Sequence, residues 1–265
     1  MRRIKILLNM SGLLLLQIAL AAQPVPGQDK SQFDPGRTED FQLFPPAAAS
    51  TQKHSAAGQF LRDVWTDQKA IWMSPFRMNR KQVFTIALPL AAVTAGLIAT
   101  DSKTAQYLPN TSDQIMWSQR ISNFGAFYTL GFVTGGALVG GKVINKPHYT
   151  RIGRLSAEAL VTSILTNYAL KGITQRERPD TGDGTGKFWV GGQSFPSGHA
   201  MNSWAVAVAV ARSPQCPKWF AITSYAMATV ISVSRWTAHK HFPSDIVVGA
   251  VFGGLIGNYV ARRPR

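Results

Sequence analysis

"DIVVGAVFGGLIGNYVA", residues 245–261, opens on one carboxylate and then runs apolar to its end. Glycine and alanine recur through it, as they do in "TGGALVGG", residues 134–141. Small residues let helix backbones approach closely, which is how helices associate within a bilayer. Five further apolar segments share this character, at about 84–100, 126–144, 155–170, 199–212 and 219–234. None shows strand alternation, and the chain has no convincing internal repeat. The expected fold is therefore all-α, a six-helix bundle. The segments are short for spans and are interrupted by Thr, Ser and Asn. A membrane-embedded bundle is the leading version, and a compact soluble helical core is its rival.

Composition bounds the rest. A chain of 265 residues can hold one sizeable core or one membrane bundle. Charged residues make up only 15% and hydrophobic ones 45%, yet the formal net charge is +15. Such a balance suits nucleic acid, anionic lipid or an anionic substrate. The basic residues are scattered between apolar runs, with no recognition helix or stacking platform, so nucleic acid is not expected as a partner. Cys216 is the single cysteine, which excludes an intrachain disulfide and a cysteine-based zinc site.

Four regions are expected. Residues 1–22 pair a basic start, "MRRIK", with an apolar run ending in small residues. They read as a signal peptide, with an uncleaved N-terminal anchor as the alternative. Residues 23–57, rich in Pro, Ala, Gln and Ser, read as a flexible linker. Residues 58–80 read as an amphipathic helical segment. Phe60, Leu61, Val64, Trp65, Ile71 and Trp72 form its apolar side, with Arg62, Asp63, Asp67 and Lys69 away from it. That stripe suits a membrane interface or the domain's own core equally. Residues 81–265 form the helical domain.

Three stretches at helix ends carry polar groups with no obvious structural duty. "KGITQRERPD", residues 171–180, sets Lys171 and Arg178 seven apart, almost two helical turns, before Pro179 ends the helix. Two cations at one rim suit an anion, although basic residues at a helix end are often only dipole partners. "SFPSGHAMNSW", residues 194–204, leads into the fourth segment. Ser197 is a good N-cap, Gly198 leaves backbone N–H groups open to an anion, and His199 sits in the first turn. "SRWTAHKHFPSDIVVGA", residues 234–250, contains Arg235, His241 and Asp245. On a helix, His241 and Asp245 stack on one face, where a carboxylate holds one ring nitrogen and frees the other as a nucleophile. Arg235 offers a planar fork to phosphate oxygens. His239 is out of phase and reads as incidental. In an up-and-down bundle the ends bearing all three stretches fall on one side.

These stretches resemble the three signatures of the type 2 phosphatidic acid phosphatase and vanadium haloperoxidase superfamily. Lys171 through Pro179 matches Lys, six residues, Arg-Pro. Residues 196–199 match Pro-Ser-Gly-His. Ser234 through Asp245 matches Ser-Arg, five residues, His, three residues, Asp. The likeness covers about 84–261 and leaves 23–80 unaccounted for. It implies that Lys171, Arg178, Arg235, Ser197 and the Gly198 N–H bind phosphate oxygens. It further implies that His241 attacks phosphorus, that Asp245 orients His241, and that His199 protonates the leaving oxygen and later activates water. No metal and no cofactor are implied, since the cations supply the charge stabilisation. In "RPDTGDGTGKF", residues 178–188, Asp180 and Asp183 lack the spacing of a calcium loop, and a glycine-rich lid over the site is expected instead.

The expected activity is metal-independent hydrolysis of a lipid phosphate or diphosphate monoester through a phosphohistidine. The expected substrate is an anionic phospholipid or polyprenyl phosphate. The alternatives are a soluble secreted acid phosphatase, a vanadate-dependent haloperoxidase and a catalytically silent membrane scaffold. The expected location is the bacterial cell membrane with the site facing the periplasm or exterior, or else the soluble periplasm. Lys146, Arg151, Arg154, Arg212, Lys218, Arg262, Arg263 and Arg265 at the opposite helix ends motivate the orientation. The same alternation places Arg77, Arg80 and Lys81 inside, which conflicts with a cleaved signal if all six segments span.

Overall fold

The structure is a computed structural model and describes residues 55–263 apart from Gln215. The expected signal or anchor and all but the end of the expected linker lie outside the described residues. Among the described residues there is no strand. Eight helices follow in order: α1 (Ala56–Met73), α2 (Arg80–Gln106), α3 (Ser112–Ser122) and α4 (Phe127–Val143), then α5 (Pro147–Thr174), α6 (Gly198–Ala211), α7 (Lys218–Thr237) and α8 (Pro243–Arg262). Each of the six apolar segments lies mostly or wholly within one of α2 and α4 to α8. Helix α2 contains a π-helical turn at Val83–Ala87, just before Pro89. Proline has no N–H for the carbonyl four residues back, and the wider turn accommodates the missing bond.

Helix α6 is the axis of the bundle. From Ala200 through Val210 every residue is buried. Its 14 residues rise only about 21 Å, less than a hydrocarbon core. It is thus a core helix, sheathed by α5, α7 and α8. Its most extensive partner is α8, and glycines explain how closely the two pack. Gly249, Gly253 and Gly257 recur every four residues on one face of α8. A Cβ on Gly253 would lie 2.1 Å from the Met201 carbonyl oxygen, and one on Gly257 would lie 2.3 Å from that of Ala205. Helices α4 and α5 meet in the same way, since a Cβ on Gly153 would lie 2.2 Å from the Leu138 nitrogen. Gly253→Ala is therefore expected to push α8 off α6 and destabilise the fold by about 1–3 kcal/mol. Denaturant titration in detergent, followed by fluorescence of the buried Trp204, measures it.

Three stretches are long and apolar enough to cross a membrane: Arg80–Gln106, Ser112–Val143 and Pro243–Arg262. The first buries none of its most apolar window against the rest of the protein.

Helix α1 departs from its expected orientation. Val64 and Ile71 do face the core, but Leu61, Trp65 and Trp72 are exposed. The buried face instead includes Asp67 and Gln68, which the apolar pattern had placed elsewhere or passed over. The reason is long-range pairing. Arg263, at the far end of α8, donates to Asp67 Oδ1 at 2.6 Å and to the Asp63 carbonyl at 3.0 Å, and it also pairs with Glu158. Gln68 donates to the Thr162 carbonyl of α5 at 2.8 Å. Breaking such a buried ion pair costs several kcal/mol, enough to fix which side of α1 faces inward.

Candidate active site

The expected site residues converge. Lys171, Arg178, Gly198, His199, Arg235 and His241 all line one cavity of about 190 Å³ at the end of the bundle where α5 stops and α6 and α8 begin. The chain reaches this arrangement by a different route from the one the spacing implied. Helix α5 ends at Thr174, four residues before Arg178, because Gln175 adopts a left-handed conformation (φ 45°, ψ 39°) and caps it. Lys171 and Arg178 therefore do not share a helical face. The turn brings Arg178 back to the cavity. Lys171 Nζ donates to the Gln193 carbonyl at 2.5 Å.

The turn before α6 is pinned from two sides. The Ser197 N–H donates to the Asp245 carbonyl at 2.9 Å, and Asn167 Nδ2 to the Pro196 carbonyl at 3.1 Å. Ser197 occupies the N-cap position, but its side chain makes no capping bond. Its Oγ is buried with no protein partner. Arg235 donates through Nη1 to Ser122 Oγ at 2.9 Å, while its Nε is likewise buried without a partner. Buried polar groups are rarely left unsatisfied, so both atoms are available to a further partner.

His241 lies outside α8, which begins at Pro243, so His241 and Asp245 are not stacked along one helix. They meet because extended Phe242 folds the chain back and Asp245, third in the helix, accepts the Phe242 N–H at 2.9 Å. His241 Nδ1 stands 3.5 Å from Asp245 Oδ2 and 3.5 Å from Ser194 Oγ. Ser194 Oγ donates to the same carboxylate oxygen at 2.5 Å. Behind Asp245 sits Arg176, 1% exposed, which donates to Asp245 Oδ1 at 2.6 Å and to Asp101 Oδ2 at 2.8 Å. Ser194, Arg176 and Asp101 were not singled out in the sequence.

The electrostatics follow from burial and from the three cations. Burial, opposed by Asp245 and reinforced by Lys171 and Arg235, lowers the His241 pKa to about 4. Burial, with Arg235, His241, Lys171 and Arg178 adding to it, lowers that of His199 to about 3. Both imidazoles are therefore neutral near neutral pH. His239 stays out of the cavity, with its Nε2 3.0 Å from the Pro109 carbonyl. In the glycine-rich loop, Asp183 pairs with Lys187 at 2.6 Å and Asp180 with Lys240 at 2.5 Å. Both carboxylates are thus spent on lysines.

The profile of the PAP2 superfamily matches residues 154–264, which contain all three stretches. A lipid A 1-phosphatase of Porphyromonas gingivalis is 33% identical over 69 residues, covering 24% of this chain and 15% of that protein's length. A crystal structure of a transmembrane PAP2-type phosphatidylglycerolphosphate phosphatase from Bacillus subtilis superposes with a TM-score of 0.47 at 20% identity, covering 77% of this chain and 92% of that one. The stretch that resembles the PAP2 superfamily, residues 154–264, is thus the one that carries all three polar stretches around the cavity.

Proposed function

We propose that the protein is a phosphatase that hydrolyses a lipid phosphate or diphosphate monoester, removing its terminal phosphate through a phosphohistidine on His241. The observation that carries this reading is one cavity lined by three cations, Lys171, Arg178 and Arg235, together with two neutral imidazoles, His199 and His241. Lys171, Arg178 and Arg235 hold the phosphate oxygens, with Ser197 and the Gly198 N–H. The free nitrogen of His241 attacks phosphorus in line, and the bond to the ester oxygen breaks. His199, protonated in the complex, gives its proton to the departing oxygen. Water then attacks the phosphohistidine, His199 takes its proton back, the P–N bond breaks and inorganic phosphate leaves. Little covalent chemistry is asked of the protein, and the rate comes from positioning and charge.

A lipid carrier is supported by the cavity wall. Phe127, Ile164 and Tyr168 border the same space as the cations, and Phe127 and Tyr168 are also exposed to the outside. A phosphate can thus sit among the cations while its apolar carrier lies along α4 and α5. The purified protein in detergent is expected to favour lipid phosphates over soluble phosphomonoesters. The panel should hold phosphatidate, phosphatidylglycerol phosphate, a polyprenyl diphosphate and lipid A phosphate. Equal or better turnover of soluble esters would instead establish the secreted acid-phosphatase reading.

The proposed orientation puts the cavity on the outer face of the cell membrane. The positive charge at the opposite helix ends supports it, although Arg154 and Arg263 are partly spent in pairs with Asp63 and Asp67. With Cys216 replaced by serine, single cysteines at Asn110 and Thr185 are expected to react with an impermeant maleimide in intact cells. Reaction only after lysis would reverse the orientation.

A further inference from the structure

Asp245 is fully buried, and its own contacts show that it is held rather than merely present. One oxygen accepts from Arg176; the other accepts from Ser194 Oγ and the Phe242 N–H. Arg176 is in turn held on every side. Its guanidinium lies between the rings of Phe188 and Phe242, 4.8 and 4.4 Å from their centroids. Its Nε donates to the Gly186 carbonyl at 3.1 Å, and Nη1 donates to Ser244 Oγ at 2.6 Å. Gly186 has a φ of +74°, and a Cβ there would come within 2.5 Å of the Phe242 ring. The glycine-rich loop can close over Arg176 only because that position lacks a side chain. On the far side, Asp101 of α2 receives Arg176 Nη2 at 2.8 Å and the Ser244 N–H at 3.2 Å, and Ser244 Oγ also donates to it.

We infer that Arg176 and Asp101 are positioning residues for the His241–Asp245 pair, forming with Asp245 a buried carboxylate–guanidinium–carboxylate relay that fixes the carboxylate and sets the charge behind the imidazole. The inference rests on the phosphohistidine reading of His241. Two carboxylates share one guanidinium, so the trio carries one net negative charge. That charge opposes Lys171 of α5 and Arg235 of α7, which face His241 from the cavity side together with Arg178 and His199 of α6. It steadies the positive charge that the ring acquires when its free nitrogen bonds to phosphorus. Lysine cannot replace Arg176 fully, because an ammonium has no planar fork with which to grip two carboxylates and a serine at once. The relay also ties α2 to the catalytic end, although α2 lies outside the matched region 154–264.

The test uses the full chain in detergent, with two readouts. The first is histidine titration by NMR, with the His241 resonance assigned by its loss in His241→Gln. Arg176→Gln leaves two carboxylates unopposed and should raise the pKa of His241 by about one unit or more. Arg176→Lys keeps the charge and should restore it to near the wild-type value. Asp101→Asn removes a negative charge and should move it down. The second readout is turnover of phosphatidate. Asp101→Asn and Arg176→Lys should lower kcat by about 10- to 100-fold, with KM changed less than about threefold. Folded Arg176→Gln and Asp101→Asn variants in which His241 titrates as in the wild type, or folded Asp101→Asn and Arg176→Lys variants whose kcat stays within twofold, would overturn the relay. A wild-type protein that hydrolyses no phosphate ester would count against the phosphatase reading alone, while the titration would still decide the relay.

Discussion

His241→Ala is expected to leave a folded protein that forms no phosphoenzyme and turns over substrate about four to six orders of magnitude more slowly. The size of the effect follows from the site. Among the described residues His241 is the one imidazole paired with a carboxylate, its Nδ1 3.5 Å from Asp245, and it lines the cavity. Nothing else lining the cavity can replace it as a nucleophile. Lys171 is a cation, donating to the Gln193 carbonyl and committed to the phosphate oxygens, and among the described residues no carboxylate pairs with His199. The cations and the Ser197 turn survive the substitution, so vanadate should still bind. Rapid-quench trapping with ³²P-labelled substrate provides the measurement. The wild type should yield an acid-labile, base-stable phosphoenzyme, and His241→Ala none. Full activity in the variant, or activity lost to chelators and restored by magnesium, would overturn the scheme.

Much of the site could be read from the sequence because its members sit next to helix ends whose order is simple. Lys171, Arg178, Ser197, Gly198, His199, Arg235 and His241 each lie within a few residues of such an end, so placing the ends places the groups. Local geometry was less legible. A left-handed Gln175 carries none of the signal that Gly or Asn would, so the true end of α5 was hidden. The meeting of His241 with Asp245 depends on a cap made by Asp245 rather than on helical stacking.

The groups behind the site were illegible for another reason. Arg176 stands two residues before Arg178, but a third basic residue at a helix end reads as a solvated charge. Its burial depends on Asp101, seventy-five residues earlier in the chain. Asp67 is the same case at the opposite end of the bundle. It falls away from the apolar stripe of α1, yet it is buried because Arg263 reaches it from α8, nearly two hundred residues on. Period and propensity report what a segment does alone, and pairs formed across the chain contribute nothing to either.

His199→Ala should fail differently from His241→Ala, and the difference tests the division of labour. Without an anion beside it the His199 pKa is about 3, so the ring is neutral near neutral pH and cannot act as an acid. A bound phosphate dianion reverses the field of Lys171, Arg178 and Arg235 that helped to lower it. The pKa then rises on binding, a proton is taken up, and by linkage anion affinity increases as pH falls through the pKa of the complex towards that of the free protein. Calorimetry of vanadate binding in buffers of different ionisation enthalpy should show uptake of up to about one proton in the wild type and clearly less in His199→Ala. Turnover of alkyl phosphates, whose leaving oxygen needs that proton, should drop by about 10²- to 10⁴-fold. An aryl phosphate such as p-nitrophenyl phosphate needs no acid to depart, so it should still phosphorylate His241. Hydrolysis of the intermediate then lacks its base, and the variant should release a burst of p-nitrophenolate stoichiometric with enzyme before a slow steady state. Equal slowing of both ester types without a burst, together with unchanged proton uptake, would remove His199 from the acid–base role.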